Sequence, residues 1–177
     1  NIFYPVTKGP PSSQKTIVIG TVKTLANKYG IDTLLEAFSI VQETAGKEFN
    51  LTLEISGGGP DFEILKNLAS KLGIEHQTVF HGSVPHNDVP HLINKLDIYV
   101  ALSRLDSESF GVAIIEASAC GKPVVVSDAD GPAEVVVCGK TGIVVERNDP
   151  IAAANALLEL IYSDDLRNEM GLAGRSH

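Results

Sequence analysis

Glu108 and Glu116 stand seven residues apart in the run Ser107-Glu-Ser-Phe-Gly-Val-Ala-Ile-Ile-Glu116. A helix starting near Phe110 would leave Glu108 in the preceding loop and carry Glu116 about two turns in. The amides of Phe110, Gly111 and Val112 would then be donors at a positive helix end. That arrangement suits an anion such as a diphosphate. Gly111 lets backbone approach a ligand with no side chain in the way. Glu116 could accept both hydroxyls of a ribose, as the acidic residue of dinucleotide folds does. Glu108 could hold hydroxyls of a sugar beyond the diphosphate. Spacing alone favours two solvated glutamates, since most glutamates are exposed.

Two further features change that weighting. Lys23-Thr-Leu-Ala-Asn-Lys28 places two cations in the loop after the first strand-like run. Lysine binds phosphate as a flexible point charge, and fixed cations stabilise the charge that develops on a departing phosphate. Two solvated loop lysines would be the plainer outcome. Ser56-Gly-Gly-Gly-Pro60 lies between a strand-like run and a helical pattern. It is not G-x-G-x-x-G, and a tight strand-to-helix turn accounts for it equally well.

These residues need a frame to bring them together. Apolar runs of strand length begin at Thr16-Ile-Val-Ile-Gly20, Leu51-Thr-Leu-Glu-Ile55 and Thr78-Val-Phe80. Three more follow: Asp97 to Leu102, Pro123-Val-Val-Val-Ser127 and Thr141-Gly-Ile-Val-Val-Glu146. Helical spacing of apolar residues separates them: Ile31 to Val41, Leu65 to Leu72, Val89 to Leu96 and Phe110 to Cys120. Asp149-Pro150 reads as a cap and first-turn proline opening another helix, and a last helix is expected over 164–173. Six strands alternating with helices predict an α/β fold, a Rossmann-like three-layer α/β/α with a six-stranded parallel sheet. Such sheets bind ligands at the carboxyl ends of their strands, by the topological switch point. The site is therefore expected in the loops after Gly20, Ile55, Phe80, Leu102 and Ser127.

The 177 residues suit one domain. An apolar fraction of 44% and a charged fraction of 20% are ordinary for a globular chain. Net charge is −8 with no Lys/Arg cluster, which argues against nucleic acid. No apolar run approaches the about 18 residues of a membrane span, and the start does not read as a signal peptide. Cys120 and Cys138 lack metal-ligand spacing and read as free thiols in a reducing, cytoplasmic compartment. His76, His81, His86 and His91 fall on different expected elements and read as separate residues rather than metal ligands. Arg104 is expected to form a structural ion pair with Asp106 or Glu108. Residues 1–15 hold three prolines, two serines and a glycine and read as linker, with 16–177 as the folded domain.

As a set, these motifs resemble the C-terminal domain of retaining GT-B glycosyltransferases of family 4, over nearly the whole chain. The resemblance rests on Glu108 to Glu116, on Gly121-Lys-Pro-Val-Val125 and on the basic pair Lys23 and Lys28 before Gly30. It also rests on the turn at Gly57 to Gly59, on Phe80-His-Gly82 and on Gly142-Ile-Val-Val145. Two departures stand out: Lys23 where arginine is usual, and Asp128-Ala-Asp-Gly131 where a Gly-Gly pair is usual before Glu134.

The resemblance implies transfer of a sugar from a nucleoside diphosphate sugar to an acceptor hydroxyl, with retention and without a metal or other cofactor. It implies a role in polysaccharide or glycoconjugate synthesis. Lys23 and Lys28 would hold the diphosphate and Glu116 the ribose. Glu108 would lie by the donor sugar as the catalytic residue. Backbone of Ser109, Phe110, Gly111 and Val112 would contact sugar and phosphates, with Gly58 in the neighbouring turn and the loop around His81 to Val84 near the base. It also implies an N-terminal acceptor domain in a longer parent chain. Through that domain the enzyme would meet the inner face of the membrane, and this chain alone would bind donor without transferring it.

Two other classes make different demands on the sequence. A dehydrogenase half needs G-x-G-x-x-G after the first strand, and a GT-B-like epimerase needs its own carboxylate and histidine set. A receiver or regulatory nucleotide-binding domain needs an acidic cluster where Lys23 and Lys28 stand.

Overall fold

A computed structural model describes residues 2–5, 15–105 and 111–177, apart from the side chains at 130 and 132. The strands are β1 (Thr16–Val22), β2 (Asn50–Ser56), β3 (Thr78–Gly82), β4 (Ile98–Ala101), β5 (Val124–Ser127) and β6 (Gly142–Val145). The helices are α1 (Ile31–Ala45), α2 (Phe62–Lys71), α3 (Val89–Lys95), α4 (Val112–Ala119), α5 (Asp130–Glu134), α6 (Pro150–Tyr162) and α7 (Asp164–Ser176). Single 3-10 turns cover Asn27–Tyr29 and His86–Asp88. The six strands are parallel, in the order β3-β2-β1-β4-β5-β6. The alternation of apolar runs predicts this three-layer fold, and the structure has it.

Period-two alternation sorts the strand side chains into two cores. Ile17, Ile19, Leu53, Ile98, Val100 and Val125 face a layer built from α1, α2 and α6, centred on Leu35, Phe38, Val41 and Leu157. Tyr99, Ala101, Val124 and Val126 face the opposite layer, where α3 and α4 contribute Ile93, Ile114 and Ala117. Phe3, in the segment read as linker, packs into this second core, and Asn94 Nδ2 donates to the Tyr4 carbonyl at 2.8 Å.

The helix starts carry legible local chemistry. The Asp149 carboxylate accepts from the amides of Ile151 and Ala152, both at 2.9 Å, which caps α6 ahead of Pro150. Ser163 does the same for α7 through the Leu166 amide.

Two elements differ from expectation. β1 does not end at Gly20 but runs to Val22. A Cβ at Gly20 would lie 2.7 Å from Leu96 Cδ2 and would meet the Glu54 carbonyl, so the glycine admits neighbours inside the strand rather than ending it. α5 was not foreseen; five residues spanning a Gly-Pro pair hold no helical period to read.

Candidate functional site

β1 and β4 are adjacent, with Ile19 opposite Ile98 and Gly20 opposite Tyr99. The helix after β1 packs on one face of the sheet and the helix after β4 on the other. Their loops therefore diverge and leave a crevice at the switch point. Because β1 runs to Val22, Lys23 stands directly at the strand end. Tyr99, fully buried in β4, donates its hydroxyl to the Val22 carbonyl at 3.2 Å and fixes that end.

The loop from Lys23 to Gly30 is tied down on both sides. Toward β2, the Lys23 amide donates to the Ser56 carbonyl and the Leu25 amide to the Gly58 carbonyl, both at 2.9 Å. Glycine is required here by close approach. A Cβ at Gly57 would run into the Lys23 carbonyl, one at Gly59 into that of Leu25, and one at Gly58 into Ser83 Oγ. The Gly-rich turn thus acts as the seat of the lysine loop. Toward β4, the Arg104 amide donates to the Lys28 carbonyl at 2.8 Å.

Arg104 is the knot of this region. Its Nη2 makes a two-pronged contact with Asp32 at 2.7 and 2.8 Å. Its Nη1 donates to the Asn27 carbonyl at 2.8 Å and its Nε to Asn148 Oδ1 at 2.6 Å. Arg104 does form a structural ion pair, and among the described residues its partner is Asp32, at the start of α1. Asp106 and Glu108, the partners expected from proximity in sequence, lie outside the described residues. Asn148, with a φ of 60°, is the only non-glycine residue of positive φ among the described residues, and this turn brings its side-chain oxygen to Arg104.

Lys23 and Lys28 converge on one ring. Their Nζ atoms lie 4.6 and 4.8 Å from the centroid of Tyr29. On the other side of the crevice, α4 opens at Gly111, whose φ of 54° and ψ of 36° no β-branched residue would tolerate. The Gly111 carbonyl accepts from the amides of Ile114 and Ile115 at 2.8 and 3.1 Å, and Val112 is exposed at the first turn. Glu108, Ser109 and Phe110 fall outside the described residues.

Glu116 lies half-buried one turn into α4. Burial pushes its carboxyl above the usual range, and His86 partly offsets that. His86 itself stands beside Phe3, the ring centroids 6.1 Å apart. His81 meets Glu54 across β2 and β3, Nε2 to Oε2 at 2.6 Å. Its side chain is therefore engaged with the sheet, and the turn after it, at Gly82 and Ser83, is what reaches toward Gly57 and Gly58: the Gly57 amide donates to the Gly82 carbonyl at 2.8 Å.

Other motif residues serve the frame. Lys122 is buried and donates to the Asn94 carbonyl at 3.0 Å, covering the end of α3. Asp128, one of the departures from the expected pattern, accepts from the Arg147 amide and Nε, both at 3.0 Å, and ties the loop after β5 to that after β6. Ser127 Oγ donates to the Ser103 carbonyl at 2.6 Å, pinning the start of the loop that leads to α4. Sequence reasoning missed Tyr99, Ser127 and Tyr29; only a polar residue inside an apolar run marked the first two.

Two hollows lie elsewhere. One, of about 150 Å³ and lined in part by Asp32 and Asp61, sits behind the lysine loop, where its carboxylates disfavour an anion. The other, of about 360 Å³, lies between α4 and α7 beside Ser118, Val135 and Gly174. Among the described residues no cluster of His, Cys, Asp and Glu gathers at metal-holding distance, and no helix is long and apolar enough to cross a membrane. Cys120 is buried and Cys138 exposed, both free thiols.

Comparison with known proteins identifies the family and the fold. Residues 7–177 match the family model described as glycosyl transferases group 1. A GDP-mannose-dependent alpha-(1-6)-phosphatidylinositol monomannoside mannosyltransferase of Mycolicibacterium smegmatis is 34% identical over 163 residues, covering 89% of this chain and 42% of that protein. The crystal structure of an Anabaena protein in complex with UDP and glucose superposes with a TM-score of 0.81 at 24% identity, over 92% of this chain and 43% of that one. The C-terminal domain of a glycosyl transferase group 1 family protein from Francisella tularensis superposes at 0.80 and 24% identity, over 99% and 93%. The chain spans about two fifths of the length of the curated relatives it matches.

Proposed function

The chain belongs to the glycosyl transferases group 1 family, and from that premise we propose that it is the donor-binding domain of a retaining, family 4 glycosyltransferase. The reaction breaks the bond between the donor sugar's anomeric carbon and the diphosphate oxygen and forms one to an acceptor hydroxyl, with the anomeric configuration kept. The acceptor domain belongs to the remainder of a longer parent chain, and the product is a polysaccharide or glycoconjugate made at the cytoplasmic face of the membrane.

One observation carries this reading: the hydrogen bond from the Arg104 amide to the Lys28 carbonyl holds the cationic loop of β1 against the segment that feeds α4. Lys23 and Lys28 then face the diphosphate from one side and the opening turn of α4, at Gly111 and Val112, from the other. As the sugar departs, charge gathers on the diphosphate, and ammonium groups already in place stabilise it without reorganisation. This assigns to lysines the electrostatic work that a metal ion does in other phosphate sites. Glu116 receives the ribose hydroxyls, the turn around His81 to Ser83 and the adjoining Gly58 approach the base, and Glu108 serves the donor sugar with the backbone of Ser109 and Phe110.

Calorimetric titration with UDP, GDP, uridine and guanosine tests it. One diphosphate is expected to bind at least about tenfold more tightly than its nucleoside, a difference of about 1.4 kcal/mol. Equal affinity for the two would overturn the reading.

A further inference from the structure

Tyr29 was singled out by no motif, yet both candidate phosphate-binding cations reach it, 4.6 and 4.8 Å from its ring centroid. Resting on the donor-site reading above, we infer that Tyr29 is a positioning residue that presents Lys23 and Lys28 as a pair to the two phosphates of one pyrophosphate. Two ammonium groups held close together repel each other. Left to themselves, long side chains would splay apart and would have to be gathered when the ligand arrives. The negative faces of an aromatic ring attract cations, and both Nζ atoms are held within 4.8 Å of the Tyr29 centroid before binding. The ring is itself held. The Tyr29 amide donates to the Ala26 carbonyl at 2.9 Å, its side chain packs on the core beneath α1, and Gly30 behind it closes against the Leu102 carbonyl. The paired cations match a ligand with two linked anionic groups better than a ligand with one. Tyr29 thereby favours nucleoside diphosphates over monophosphates.

Tyr29→Phe keeps a ring and Tyr29→Leu keeps only apolar bulk. Titrations of nucleoside, monophosphate and diphosphate into the wild-type chain and both variants separate the contributions. Tyr29→Phe is expected to stay within about twofold of wild type. Tyr29→Leu is expected to lose about tenfold in diphosphate affinity and to keep nucleoside affinity, which narrows the preference for diphosphate over monophosphate. Wild-type diphosphate affinity in Tyr29→Leu, or equal losses for nucleoside and diphosphate, overturns the role of Tyr29 and leaves the donor site standing. No preference for diphosphate over nucleoside in the wild type overturns both. Proton NMR of the unliganded wild-type chain gives a measurement independent of whether the leucine variant folds. The ε-methylene protons of Lys23 and Lys28 are expected upfield of solvated lysine through the ring current. Random-coil positions for both would overturn the proposal.

Discussion

The amide of Arg104 and the carbonyl of Lys28 meet at 2.8 Å, so the loops leaving β1 and β4 behave as one piece of backbone. The Arg104 side chain doubles that link through Asn27 and Asp32. Arg104→Ala strands the Asp32 carboxylate and frees two loops. The expected cost is about 2–4 kcal/mol in unfolding free energy, read from urea midpoints. Arg104→Lys should recover little, since one ammonium cannot serve a carboxylate, a carbonyl and an amide in three directions. Full recovery by lysine would reduce the arrangement to simple charge pairing.

Glu116 should show opposite pH behaviour in stability and in binding. Its folded carboxyl titrates above the ordinary range because it is buried. The folded state therefore holds a proton that the unfolded state releases, and stability falls as pH rises from the ordinary carboxylate range through the raised folded value. Ribonucleotide affinity should rise over the same window, because the hydroxyls need the carboxylate as acceptor. Glu116→Ala is expected to cost about 1.5–3 kcal/mol for a ribonucleotide and less for its 2′-deoxy analogue, which keeps one of the two hydroxyls. Matching losses for the two would take Glu116 away from the ribose.

Asp164, at the start of α7, titrates below its usual range through its hydrogen bond with Lys15 and the nearby Arg167. The stabilisation is fully present above the unfolded carboxylate value and disappears as pH falls through the depressed folded one. Asp164→Asn should lower neutral-pH stability by under about 1 kcal/mol, because the pair is half-exposed. The melting curves of variant and wild type should merge in acid. A gap that persists in acid would assign the loss to helix capping instead.

Two glycines with nearly the same φ separate strain from collision. Gly30 has a φ of 63° and no room for a Cβ against the Leu102 carbonyl, whereas Gly73 has a φ of 70° and open space. Gly73→Ala should cost about 1–2 kcal/mol from the left-handed backbone alone. Gly30→Ala should cost clearly more and should weaken diphosphate binding as well, since it pushes the lysine loop from β4. Equal costs in denaturant titrations would show that the loop yields.

The sheet was legible because six apolar runs punctuated by helical spacing admit few other arrangements, and the position of its crevice follows from strand order. The place of the lysine loop at the carboxyl end of the sheet was legible for the same reason, since it follows the first strand. What could not be read was partnership across distance. Asp32 meets Arg104 from 72 residues away, and nothing in the neighbourhood of either residue announces the other. His81 likewise meets Glu54 from 27 residues away, because a strand side chain answers to the next strand. The meeting of two lysines on Tyr29 depends on rotamers, which no periodicity encodes.

Strand order also fixes when a ligand can act. The crevice exists only once Ile19 stands opposite Ile98, which joins residues far apart in the chain. Neither half of the sheet, folding ahead of the other, carries both walls of the proposed donor site. Bound donor should therefore act as a brake on unfolding, lengthening the lifetime of the native chain while leaving the speed of refolding untouched.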